Sequence, residues 1–147
     1  MDASYTSSIT EFAIVLAGFS GLVIAIGSKG GKSSPLTKHR TLCLLSFSFA
    51  AAFGSLLPAL ALSFGIPNIW IFSSYGLICI LLVAVSVVHL SARLLLNEEE
   101  RKKLAWYMYI LIYWVNAFLV FLLALMPIAG LFFIALVWQL IVSAILF

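Results

Sequence analysis

The chain has 147 residues, of which 65% are hydrophobic and 9% charged, and its formal net charge is +3. This composition excludes an ordinary water-soluble domain, because a soluble core of this size cannot hide so much apolar surface, whereas a bilayer accepts it. The positive charge does not indicate nucleic-acid binding, since no basic face with interleaved aromatic residues is present. We therefore expect an all-α integral membrane bundle, with residues 1–147 forming one transmembrane domain.

The first predicted helix covers about residues 8–27, an apolar run of about 20 residues that matches the hydrocarbon thickness of a bilayer. Ser8 and Glu11 have the spacing of a capping box at its start. Small residues recur every four positions on one face of this helix, and Gly18 lies beside them: Ala13, Ala17, Gly21 and Ala25. Small residues let membrane helices approach closely, so we expect this helix to be the centre of the bundle.

The second and third predicted helices cover about 35–64 and 69–96. Ser34 and Pro35 suit the N-cap and the first turn of the second helix. Ala50 and Gly54 repeat at the four-residue spacing of a packing face, and Pro58 predicts a kink. Between the two helices, Gly65-Ile-Pro-Asn68 predicts a tight turn that ends one helix and caps the next.

The last 44 residues are almost continuously apolar and too long for one crossing. Pro127 cannot continue a helix, and Gly130 permits a reversal, so we predict a fourth helix over about 104–126 and a fifth over about 131–147. Four spans with a re-entrant C-terminal segment are the alternative.

All eight basic residues fall in two short segments. The first contains Lys29, Lys32, Lys38 and Arg40, and the second contains Arg93, Arg101, Lys102 and Lys103. Five spans place both segments on the same side of the membrane, which the positive-inside rule assigns to the cytoplasm. The N-terminus is then outside and the C-terminus cytoplasmic, in the inner (plasma) membrane. The start of the chain lacks the basic region of a cleavable signal, so we expect the first helix to be retained. Cys43 and Cys79 lie at different depths, and we expect no disulfide between them.

Polar residues inside predicted spans are the candidates for function. The candidates for a polar path are Glu11, Ser20, Ser48, Ser55, Asn116 and Gln139. Glu11 is either a helix cap or, in an oligomer, part of an acidic ring at a pore mouth. The serines either line a hydrated path or pack as small residues that bond their own helix.

Asn116 and Gln139 lie about ten and nine residues from the predicted outer turn, which on an antiparallel hairpin are nearly equal depths. We therefore predict a side-chain hydrogen bond between the fourth and fifth helices, with a place on a polar path as the alternative.

His39 and His89 fall near the inner surface on neighbouring antiparallel helices, where a shared metal or haem is conceivable. Two histidines without carboxylate or thiolate ligands are a weak signal, so we expect no metal and no cofactor. The sequence contains no GxSxG, HExxH or Walker motif and no pair of membrane-embedded acids, and we expect no enzymatic activity.

Two stretches resemble a family of small, functionally uncharacterised bacterial polytopic membrane proteins. One is Glu11-Phe-Ala-Ile-Val-Leu-Ala-Gly18-Phe19-Ser20-Gly21, which is similar to a first helix with Glu, a few apolar residues and then Gly-Phe-Ser/Ala-Gly. The other is Ala135-Leu-Val-Trp138-Gln139-Leu with the ending Ala144-Ile-Leu-Phe147, which is similar to that family's last helix. The resemblance implies a bacterial inner-membrane setting and carries no activity.

Two functions fit these features. The first is a small homo-oligomeric channel or permeation protein for ions or small solutes, with Glu11 at its outer mouth. The alternative is a non-conducting membrane subunit or scaffold that docks a membrane or cytoplasmic protein through the inner basic segments and the aromatic residues of the fourth helix. These aromatic residues are Trp106, Tyr107, Tyr109, Tyr113 and Trp114.

Overall fold

The computed structural model describes residues 11, 14, 18, 21, 34–104 and 106–146. These residues are helical apart from short connections and contain no strand, so the predicted all-α class is confirmed. The elements are α1 (Pro35–Ser63), α2 (Ile69–Leu95), α3 (Glu98–Lys103), α4 (Trp106–Tyr109), a π-helical segment (Ile110–Val115), α5 (Asn116–Leu125) and α6 (Ala129–Leu146). Glu11, Ile14, Gly18 and Gly21 are also helical.

The boundaries of α1 and α2 follow local sequence signals. The Ser34 hydroxyl accepts a hydrogen bond from the Thr37 amide at 3.2 Å, which confirms the predicted N-cap of α1. Gly65 has φ +64°, a conformation that glycine adopts at little cost and that turns the chain towards α2. Asn68 stands at the N-cap position of α2, but its side chain makes no capping hydrogen bond.

Two features of the region after α2 were not predicted. The charged segment Glu98–Lys103 forms the short helix α3. The Glu100 carboxylate accepts a hydrogen bond from the backbone N–H of Asn97 at 3.1 Å. The predicted helix over 104–126 begins at Trp106 instead and contains the π-helical segment. Together α4, the π-helical segment and α5, with 4, 6 and 10 residues, form one helical run of 20 residues, which we call the central rod.

The helices of the described region form an antiparallel four-helix bundle. α1 packs along α2 and α6, while the α5 part of the central rod packs against α2 and α6. His39 at the start of α1 contacts Ser91 near the end of α2, so the basic residues of α1, α2 and α3 lie at the same end. We call this the basic end.

Large apolar side chains fill the interior of the bundle. The following residues are at most 1% exposed: Phe47, Leu77, Leu81, Leu123, Phe132 and Leu136. Ala50 and Gly54 are also buried, as their predicted packing role requires. A Cβ atom on Gly54 would lie 2.7 Å from Leu77 Cδ1 and 2.8 Å from Leu136 Cδ2, so Gly54 packs directly against side chains of α2 and α6.

The predicted packing face of the first helix has a different outcome. Gly18 and Gly21 are exposed, and nothing lies within 4 Å of a Cβ atom built on either. Among the described residues these two glycines therefore pack against no other element, and their packing role stays a prediction. The small-residue contacts of the four-helix bundle are made instead at Ala50 and Gly54. Ala13, Ala17 and Ala25 lie outside the described residues.

Large apolar side chains also cover the outside of the bundle. Leu94 is 75% exposed, and Trp106 and Trp114 are each 74% exposed. Two helices of the described region, Pro35–Ser63 and Ile69–Leu95, are long and apolar enough to cross a membrane, as judged by length and composition only.

Gly54→Val is expected to reduce the free energy of unfolding by about 1–3 kcal/mol, because the added carbons overpack a filled interior. Gly130→Val is the matched control, since Gly130 is a helical glycine with nothing within 4 Å of its Cβ position. Unfolding in detergent micelles followed by circular dichroism measures both variants. Equal losses would contradict the close approach at Gly54.

Candidate functional site

A buried amide pair connects the central rod to α6. Gln139 Nε2 donates a hydrogen bond to Asn116 Oδ1 at 2.8 Å, and the two residues are 0% and 2% exposed. This contact confirms the hydrogen bond predicted from their equal depths. Gln139 Oε1 has no hydrogen-bond partner among the described residues, so the pair is not fully satisfied.

The π-helical segment and Asn116 are coupled through one carbonyl. The backbone N–H of Asn116 donates to the Tyr113 carbonyl. In an α-helix it would donate to the Ile112 carbonyl, four residues earlier. The Asn116 side chain replaces that bond, since its Nδ2 donates to Ile112 O at 2.8 Å. The same side chain therefore satisfies a carbonyl within the irregular turn and joins two helices.

An apolar groove of about 610 Å³ lies between α2 and the central rod. Its walls are almost entirely carbon, and it is lined by Leu81, Leu82, Val85, Tyr113, Asn116, Ala117, Val120, Phe121 and Ala124. The groove is open to the outside of the bundle, whereas the amide pair is buried. Its volume is in the range of about 300–1,000 Å³ that is typical of small-molecule sites.

Tyr113 lines the groove at its side nearer to the basic end and joins the central rod to α2. Its hydroxyl lies 3.1 Å from His89 Nδ1, and the two rings meet edge to face with centroids 6.0 Å apart. Tyr109 stacks on Tyr113 at a centroid distance of 6.0 Å. Arg93, one turn beyond His89, lies close enough to the Tyr113 phenol for an electrostatic interaction.

His39 forms a separate buried network between α1 and α2. His39 Nδ1 lies 2.8 Å from Ser91 Oγ, and Ser91 Oγ donates its proton to the Val88 carbonyl at 2.8 Å. Ser91 therefore accepts from His39 Nδ1–H, which leaves Nε2 as the acceptor. Cys43 Sγ lies 3.6 Å from Nε2 and donates to it.

The two histidines do not form the shared site that their positions made conceivable. His39 bonds Ser91 inside the bundle, whereas His89 bonds Tyr113 at its surface. Within the described ranges, no group of three or more His, Cys, Asp or Glu residues is placed to hold a metal ion. Cys43 is buried and Cys79 exposed, and both are free thiols, as predicted.

Of the candidate path residues, Asn116 and Gln139 are brought into contact by the described part of the fold. Ser48 and Ser55 are buried on α1, where Ser55 donates to the Ala52 carbonyl at 2.7 Å. Glu11 is helical and exposed, and Ser20 lies outside the described residues. Three buried hydroxyls have no hydrogen-bond partner in the described structure: those of Ser48, Ser73 and Ser74. Ser73 and Ser74 were not among the predicted path candidates.

Within the described residues, the fold and the site define an all-α helical bundle with an apolar exterior, polar contacts between its helices and an apolar surface groove. Comparison of the chain with protein-family models, with curated proteins and with solved structures gives no match. The resemblance at the two ends of the chain therefore stays a prediction.

A double-mutant cycle on Asn116→Leu and Gln139→Leu is expected to give a coupling energy of about 0.6–2 kcal/mol, because the two amides bond each other inside the bundle. The free energy of unfolding in detergent micelles is the quantity measured. Phe118→Leu and Val137→Leu, exposed positions on the same two elements, form the control cycle and should be additive. Additivity of the amide variants would show that the hydrogen bond contributes nothing.

Proposed function

We propose that the protein is a multi-pass integral membrane protein with five spans. Only 33% of the apolar 18-residue stretch of α2 is buried. In water the remainder of this stretch would be a long exposed apolar face. The central rod has 20 residues and α6 has 18, and both lengths approach the roughly 20 residues needed to cross a bilayer. With the first predicted helix over 8–27, these elements supply five spans.

The proposed orientation follows from the basic end. The exposed basic residues of the described region all belong to α1, α2 and α3 near this end: Lys38, Arg40, Arg93, Arg101, Lys102 and Lys103. The positive-inside rule assigns such an end to the cytoplasm. The family resemblance supports a bacterial plasma membrane. The C-terminus is then cytoplasmic and the N-terminus outside.

Within the membrane, we propose a non-conducting subunit that binds a partner rather than a pore through the chain. The observation that carries this proposal is the filled interior of the bundle. Phe47 and Leu136 are 0% exposed and Leu81 is 1% exposed, so large apolar side chains fill the middle of the bundle. A water path needs a continuous polar cavity, and these side chains occupy the space between the helices.

The partner surface in this proposal is the outer face of the central rod. Exposed residues recur along it at intervals of three or four, so they form one stripe: Trp106, Ile110, Trp114, Phe118, Phe121 and Leu125. Flat aromatic side chains offer a large contact area to a membrane helix of another protein or of a second copy.

One observation favours the channel as a second candidate. Glu11, Ile14, Gly18 and Gly21 are helical, exposed and spaced at three or four residues, so they share a face. A face with a carboxylate and two glycines is suited to contact with other copies, and a conducting path between subunits would run along it.

The two candidates differ in flux across a membrane. We expect the purified protein in sealed vesicles to pass potassium no faster than protein-free vesicles, because the bundle interior is filled. A potassium-sensitive dye inside the vesicles measures the rate.

Glu11→Gln is the discriminating variant. If the wild type conducts and this variant loses cation preference, the channel is correct and the non-conducting proposal fails. Ser63→Ala, an exposed polar change at the opposite end of the bundle from His39, is the control and should not alter the flux.

A further inference from the structure

The apolar groove continues towards the basic end into polar side chains on the same face of α2. Leu82, Val85, His89 and Arg93 follow one another at intervals of three and four residues, so they share one helical face. The first two line the groove, and the other two lie beyond it towards the basic end. From Val85 to Arg93 the distance along the helix is about 12 Å.

Charge complementarity selects an anionic ligand for this end of the groove. The Arg93 side chain is exposed and makes no ion pair with another described residue. His89 uses Nδ1 towards the Tyr113 hydroxyl, which leaves Nε2 as a second polar group, one helical turn from Arg93. Arginine offers several donors in a fixed geometry that matches phosphate oxygens.

The lining of the groove suits an acyl chain. Its volume is about 610 Å³, its walls are almost entirely carbon, and the part of the wall that belongs to the central rod includes the small residues Ala117 and Ala124. A flexible hydrocarbon chain therefore fits against these walls.

We infer that the groove between α2 and the central rod binds an anionic phospholipid, with one acyl chain along Val85 and Ala117 and its phosphate at Arg93. His89 and Tyr113 mark the boundary between the two parts of the ligand. This inference rests on the proposed membrane location, since it requires the basic end to lie at the headgroup level.

Lipid retention tests the inference. The full chain is purified in detergent, mixed with equal amounts of phosphatidylglycerol and phosphatidylcholine, and bound lipids are counted by native mass spectrometry. We expect the wild type to retain phosphatidylglycerol preferentially. Arg93→Gln should reduce that preference about fivefold, which corresponds to roughly 1 kcal/mol for one basic side chain at a charged surface.

Two matched controls separate this site from general effects. Arg40→Gln removes an exposed cation of α1 near the same end and should change the preference less than twofold. Ala117→Leu fills the groove and should lower retention of phosphatidylglycerol, whereas Ala59→Leu, at an exposed alanine of α1, should not. Circular dichroism verifies that each variant is folded.

Other outcomes would contradict either the lipid site or the membrane location on which it rests. Equal retention of the two lipids, or equal effects of Arg93→Gln and Arg40→Gln, would show that no specific lipid site exists. Extraction of the chain from membranes by alkaline carbonate, measured first, would instead overturn the proposed membrane location.

Discussion

In the proposed membrane location, hydrocarbon around the bundle is the constraint on which the structure depends. Side chains such as Leu94, Trp106 and Trp114 project from its outside, and burying comparable surface in water-soluble proteins is the main source of stability. In a bilayer this surface needs no further cover. The same environment gives no water to polar groups, so those inside the spans must find partners within the protein.

Several polar side chains meet this requirement by joining neighbouring helices, whereas the hydroxyls of Ser48, Ser73 and Ser74 have no partner among the described residues. The contact between His39 and Ser91 connects α1 to α2, and the contact between His89 and Tyr113 connects α2 to the central rod. The amide pair connects the rod to α6. The remaining neighbours, α6 and α1, meet through the small residue Gly54. Hydrogen bonds and close packing at small residues are two interactions that hold membrane helices together, and here three of the four neighbouring pairs are joined by the first and one by the second.

The parts of the fold that depend on local signals could be predicted from the sequence. Ser34 was predicted to cap the start of α1 and Gly65 to turn the chain after its end, and the structure has the N-cap and the turn at these positions. The amide pair was predictable because equal depth on an antiparallel hairpin is a matter of counting residues. Ala50 and Gly54 were predictable because a four-residue spacing marks one helical face.

The remainder depends on contacts between distant residues. In the π-helical turn before Asn116, a side-chain amide takes the place of a backbone amide at the Ile112 carbonyl, and the hydropathy of the sequence does not indicate this exchange. The small-residue spacing at Gly18 and Gly21 predicts close packing without specifying the partner, and the described chain does not supply one. The groove beside Tyr113 results from how α2 and the rod diverge, which depends on the side chains of both.

The most direct test of the account is the side from which each end of the bundle reacts with a membrane-impermeant maleimide. Single cysteines at Lys38, Lys102 and Asn68, in a background with Cys79→Ser, are labelled in intact cells and in inverted vesicles. The account predicts that positions 38 and 102 react only in inverted vesicles and position 68 only in intact cells. Labelling of 38 and 102 from opposite sides would contradict it.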